Sequence, residues 1–162
     1  MERTDWAIAE HAAALFRNAT VLTRGDDSTM VAVVERLTAA RVGIASVADK
    51  VVAAAMRAGA ISAVVVGAAR VAANGDARGV VGTYGLAIAA SHHGVPFYLA
   101  VPRARVDDGL ECDMEFELAE TEVTPGHLTA GILTEYGLTR PPYYESIPDL
   151  ATRPVLVNLG HD

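Results

Sequence analysis

Apolar residues recur at helical spacing over residues 5–19, at Ile8, Ala12, Leu15 and Phe16. This predicts an amphipathic helix started by Thr4 or Asp5. Residues 20–24 read as a short strand, and residues 28–40 return to helical spacing through Val31, Val34 and Leu37. A second strand is expected over 43–47. A helix follows, capped by Asp49 and ending near Gly59. Residues 61–67 form the most apolar strand. Residues 82–93 are helical with Gly94 as their stop, and residues 95–101 give a fourth strand. Val64, Val65 and Val66 are apolar at consecutive positions, the pattern of a strand covered on both faces. Strands alternating with helices predict parallel pairing through right-handed crossovers.

Beyond Pro102 the pattern weakens. Residues 112–118 alternate charged and apolar side chains, which suggests a half-exposed strand. Thr124-Pro125 suits a helix start, so a helix is expected to about Tyr136 with Gly137 as its stop. Residues 140–162 are Pro-rich. The expected organisation is an N-terminal helix (1–19) followed by one α/β, Rossmann-like three-layer domain (20–162) with a mainly parallel sheet.

In an open parallel sheet, ligands bind at the carboxyl ends of the strands. That rule selects residues 23–27, 48–49, 67–82 and 102–107, where Arg24, Asp49, Arg70, Asn74, Asp76, Arg78, Thr83, Arg103 and Arg105 lie. The loop over 73–82 suits an anion. Gly75, Gly79 and Gly82 allow close backbone approach, and the next helix turns its amide end toward the loop. It is neither a GxGxxG fingerprint nor a Walker loop. The bland alternative is that the glycines only shape a tight turn.

Composition narrows the classes. The chain of 162 residues is 51% hydrophobic and carries a net charge of −7, so it has no basic footprint for nucleic acid. Cys112 is the single cysteine, which excludes an internal disulfide and fits a reducing cytoplasm. Residues 1–20 carry Glu2, Asp5, Glu10 and Arg17, which is unlike a secretory signal, and no apolar run is long enough to span a bilayer. The acidic run over 107–122 lacks metal-ligand spacing and reads as a solvated face or a partner surface.

Three segments carry a family resemblance. They are GAARVAANGD (67–76) with GTYGLA (82–87), HGVPFYLAVP (93–102), and EVTPGHLTAGILTEYG (122–137) with RPPY (140–143). In order and spacing the chain resembles the C-terminal domain of the methylthioribose-1-phosphate isomerase and initiation factor 2B alpha/beta/delta-related family, over roughly residues 20–145. The resemblance implies a Rossmann-like fold that commonly dimerises and an aldose 1-phosphate to ketose isomerisation using a Cys and an Asp as acid and base. This chain is expected to lack the Cys, and Ala69 stands at the Asp. The family's phosphate-holding Asn-Lys pair falls on Gly79 and Val80. Its Ser/Thr segment after the fourth strand reads Arg103-Ala104-Arg105, and its Asn-Pro-Ala-Phe-Asp segment falls on residues 118–122.

The candidate catalytic residue is Asp76, as general acid/base or hydroxyl ligand; its structural alternative is a helix cap. Candidate ligand-binding residues are Asn74, Gly75, Arg78, Gly79, Thr83, Arg103 and Arg24. Asn74 equally suits an Asx turn. Arg78, Arg103 and Arg105 suit bidentate grip of phosphate or carboxylate; the alternative is a solvated surface charge, which Arg105 suits slightly better. His92 and His93 complement a helix C-terminus, Glu122 a helix N-terminus, and Cys112 is inert in acidic surroundings. The expected function is an isomerase-like enzyme on a phosphorylated sugar or nucleoside-derived metabolite, with a diverged reaction. The alternative is a non-catalytic sugar-phosphate or nucleotide-binding regulatory subunit. The expected partners are a small anionic metabolite, a second copy of the chain and, for completing the site, a separate protein; no cofactor, metal, nucleic acid or membrane is expected.

Overall fold

The computed structural model describes residues 2–112 and 121–150. Its elements are α1 (Arg3–Leu15), β1 (Thr20–Arg24), α2 (Ser28–Ala39), β2 (Gly43–Ile44), α3 (Val52–Arg57), β3 (Ala63–Val66), β4 (Arg70–Ala72), β5 (Ala77–Val80), α4 (Thr83–His92), β6 (Phe97–Ala100), β7 (Val106–Asp107), β8 (Thr121–Thr124), β9 (Gly131–Thr134), β10 (Gly137–Thr139) and α5 (Tyr143–Asp149). Two sheets form, in the orders β10-β9-β6-β3-β1-β2 and β7-β4-β5-β8. In the first, all pairs are parallel except β9–β10.

The centre of the first sheet is buried on both faces. Ala63 and Val65 of β3 pack into the core under α1 and α2, with Ile8, Phe16, Met30 and Leu37. Val64 and Val66 pack oppositely, with Val52, Met56, Ala87 and Ile147 of α3, α4 and α5. This period-two division makes the fold three-layered α/β. Each fully buried valine stabilises it by roughly 1.5–3 kcal/mol. The left-handed backbone at Gly59 and Gly94 ends α3 and α4 as the sequence predicts.

Several expectations are corrected. α1 begins without a side-chain cap; Asp5 is instead buried and accepts a 2.6 Å hydrogen bond from Thr29 Oγ1 of α2. Asp49 caps nothing and pairs with Arg24. β2 is shorter than residues 43–47. Residues 73–82 are largely a β-hairpin: β4 and β5 pair antiparallel, Asn74 Oδ1 accepts the Asp76 N–H at 2.9 Å, and Gly75 takes φ +89°. The strand expected over 112–118 lies outside the described residues apart from Cys112.

The helix expected over 124–136 is absent. That segment holds the end of β8, a 3₁₀ turn at Gly126–Leu128, and β9, whose four residues are all buried. Sheet pairing between β6 and β10 overrides the local helix-start signal. Gly131 suits the strand because a Cβ there would stand 3.2 Å from the Thr139 carbonyl and 3.3 Å from the Tyr98 ring.

A clamp fixes the hairpin tip. Asp76 Oδ1 accepts the Gly126 N–H at 2.8 Å, and a Cβ on Gly126 would come 2.8 Å from the Gly75 carbonyl carbon. The Tyr143 ring fills the space that a Cβ on Gly75 would take. Its hydroxyl lies 2.7 Å from Thr129 Oγ1, which donates to the Gly126 carbonyl at 2.8 Å.

Burial pushes the Tyr143 phenol up to about 12 from its ordinary 10. The folded state therefore favours the neutral phenol. Its contribution is intact below pH 10 and is lost as pH climbs from 10 to 12, by about 2–3 kcal/mol in full. Denaturant titrations across this range should show that loss in the wild type. Tyr143→Phe should lose about 1 kcal/mol at neutral pH, with a shallower alkaline fall. Parallel alkaline slopes for the two proteins would contradict this assignment.

Candidate functional site

Three chain turns meet at the carboxyl edge of the parallel sheet: residues 24–27 after β1, 67–69 after β3, and 102–105 after β6. With β5, β8 and the start of α4 they enclose a cleft of about 440 Å³. Its polar lining is Arg24, Asp26, Asp27, Thr83, Arg105 and Thr121, and its apolar lining includes Val66, Ala69 and Val80. A second cleft of about 460 Å³ adjoins it and shares Arg24, Val80 and Thr83. Its wall is mainly apolar: Val52, Ala53, Val81, Leu86 and Ala89.

The charged groups are mostly paired. Arg24 reaches Asp49 Oδ1 through Nη2 at 2.5 Å and Nε at 3.2 Å, and donates to the Thr23 and Val47 carbonyls. Asp27 caps α2 by accepting the Met30 N–H on Oδ1 at 2.8 Å, and its Oδ2 receives Arg105 Nη1 at 2.9 Å. The same Nη1 donates to the Ala68 carbonyl at 3.1 Å. Arg105 thus ties together the turns after β1, β3 and β6. Gly67 makes the approach possible, since a Cβ there would lie 2.9 Å from Asp27 Oδ2.

The amino end of α4 points toward the clefts, where the sequence places an anion site. That end is already filled. Glu122 Oε1 on β8 accepts the Gly82 N–H at 2.6 Å and the Tyr84 N–H at 3.0 Å. Glu122 sits on a strand and complements the dipole of α4, not that of a helix following itself.

The candidate residues divide. Arg24, Gly79 and Thr83 line the first cleft. Asn74, Gly75 and Asp76 lie at the hairpin tip and are not among its lining residues; Asp76 is held at Gly126. Arg78 on β5 reaches Thr121 Oγ1 at 3.3 Å. Arg103 donates from Nη1 to the Val106 carbonyl at 2.8 Å and from Nη2 to Asp108 at 3.2 Å, away from the cleft lining. Asp26, Asp27, Arg105 and Thr121 also line the cleft; of these the sequence weighs only Arg105, between an anion donor and a surface charge. The signal for three of them was the strand-end rule, which selects residues 23–27 and 102–107. Thr121 arrives only through the β5–β8 pairing. Among the described residues, no group of His, Cys, Asp and Glu is arranged to hold a metal ion, and no helix is long and apolar enough to cross a membrane.

The chain is similar to proteins of known name and structure. A methylthioribose-1-phosphate isomerase of Oleidesulfovibrio alaskensis is 41% identical over 57% of this chain and 33% of its own length. A protein of the same name from Symbiobacterium thermophilum is 36% identical over 70% of this chain and 39% of its own. The chain thus spans little more than a third of the curated relatives it matches. Among solved structures, 5-methylthioribose 1-phosphate isomerase from Pyrococcus horikoshii superimposes with a TM-score of 0.76 at 21% identity, covering 90% of this chain and 58% of the other. The delta subunit of translation initiation factor eIF-2B from A. fulgidus gives 0.73 at 20% identity, covering 92% and 62%. At such identities these two show the shared fold. Residues 32–122, which run from α2 through β6 to Glu122, match the Initiation factor 2 subunit family, and the chain belongs to that family.

Proposed function

We propose that this chain binds a small polar metabolite in the strand-end cleft and does not by itself carry out the isomerisation for which its relatives are named. One observation carries the reading: Ala69 lines the cleft at the position where the resemblance puts the acid/base Asp. Moving a proton between neighbouring carbons of an aldose needs a base and an acid beside the substrate. Each typically contributes about 10²–10⁴-fold. The residue offered in exchange, Asp76, accepts the Gly126 N–H and serves the hairpin. Asp27 has both oxygens engaged. What remains is a cleft rich in donors and acceptors in which, among the described residues, Asp26 is a lone carboxylate at the rim with no second acid/base group opposite it, which favours binding.

We also infer self-association through the outer face of α4. Tyr84 and Ile88 are 39% and 45% exposed on successive turns, and Val80 and Val81 just before them are 65% and 60% exposed. So much apolar surface on neighbouring positions is characteristic of an interface. A related solved structure is a tetrameric eIF2B-beta2-delta2 complex from C. thermophilum, which superimposes with a TM-score of 0.74 at 18% identity.

Purified protein incubated with ribose 1-phosphate should give no ketose by NMR above the protein-free control, and Asp76→Asn should match the wild type. Turnover abolished by Asp76→Asn in a still-folded variant would restore Asp76 as the catalytic group. A panel of sugars, nucleosides and their phosphates should contain a ligand that raises the melting temperature. At a hundredfold excess over Kd the stabilisation is about 2.7 kcal/mol, or about 5–10 °C. In sedimentation, the wild type should run as twice 17.0 kDa and Tyr84→Glu/Ile88→Glu as 17.0 kDa; a monomeric wild type would remove the interface.

A further inference from the structure

We propose that the paired clefts take an uncharged, hydroxylated ligand with an apolar end, of the nucleoside class, and select against its phosphate ester. The inference rests on the reading that the cleft binds a metabolite. A phosphate needs positive charge that is not already neutralised, and here each lining arginine faces an aspartate. Arg24 is held by Asp49 and Arg105 by Asp27. The Gly82 and Tyr84 N–H groups at the head of α4 are held by Glu122. The charged lining is two arginines against three aspartates, Asp26, Asp27 and Asp49, leaving one negative charge in excess. A dianion entering this space gains little from arginines whose charge is already offset, and it meets that negative excess with Asp26 exposed at the rim.

A hydroxyl group faces no such conflict. It accepts from a guanidinium and donates to a carboxylate at once, so it adds to an Arg–Asp pair without breaking it. Among the described residues Arg105 uses only Nη1, which leaves its other N–H groups for a ligand oxygen. The Thr83 and Thr121 hydroxyls and the Asp26 carboxylate supply further partners on the same cleft. The adjoining wall of Val52, Ala53, Val81, Leu86 and Ala89 begins where Arg24, Val80 and Thr83 end the polar part. A ligand spanning both therefore has a polyhydroxylated half and a flat or apolar half, as a nucleoside does.

Isothermal titration of the full chain with adenosine, AMP, ribose and ribose 5-phosphate tests this. Adenosine should bind at least about tenfold more tightly than AMP, and ribose more tightly than ribose 5-phosphate. Asp49→Asn changes a side chain that is 88% exposed and frees the Arg24 guanidinium. It should shift the ratio of adenosine to AMP affinity by about tenfold toward AMP. Tighter wild-type binding of either phosphate than of its uncharged partner would overturn the proposed ligand class while leaving metabolite binding intact. Failure of adenosine to bind would overturn it too. In that case, the wider melting panel decides whether the cleft binds any metabolite.

Discussion

Strand β3 has no face that water can reach. Ala63 and Val65 belong to one core, Val64 and Val66 to the other, and all four are at most 4% exposed. Such a strand needs helices on both sides and hydrogen-bonded neighbours along both edges, which β1 and β6 supply in parallel. Parallel neighbours require crossovers, and the crossovers place every turn after a strand on the same edge of the sheet. The cleft is a consequence of that one burial constraint. Its position does not depend on which polar residues happen to occupy the turns.

What the polar residues do is settled by the second, smaller sheet. β5 brings Gly79 and Val80 to the cleft, and its partner β8 brings Thr121 there and sets Glu122 against the start of α4. Glu122 then quenches the amide end of α4, while Asp76, Gly126, Thr129 and Tyr143 lock the hairpin tip from behind. Positive and negative groups around the cleft are thereby largely matched from within the chain.

The fold was largely legible because its signals are local. The period-3.6 stripes of α1 and α2, the Val64–Val66 run and the glycine stops after α3 and α4 each sit within a few residues of the element they specify. The misread segment over 124–136 shows the limit. Thr124-Pro125 is a sound helix-start signal, yet Gly131–Thr134 becomes a strand because a vacant edge at β6 offers hydrogen bonds and burial that a helix there would forgo. Of the site, the strand-end rule located the turns, and Arg24, Gly79 and Thr83 line the cleft. Asp76 is a carboxylate in a glycine-rich loop, but its Oδ1 faces the N–H of Gly126, 50 residues away in sequence.

The amino-acid sequence by itself determined the α/β architecture, the edge of the sheet where a ligand would meet the chain, and the presence of an alanine, which cannot transfer a proton, at position 69. These follow from hydrophobic periodicity and residue identity, both short-range properties of the chain. Only the tertiary structure decided that Arg105 meets Asp27 across 78 residues, that Arg24 meets Asp49, and that Glu122 seats itself on α4. Charge pairing acts through space and is indifferent to sequence separation, so the electrostatic character of the cleft is fixed only once the strands have assembled.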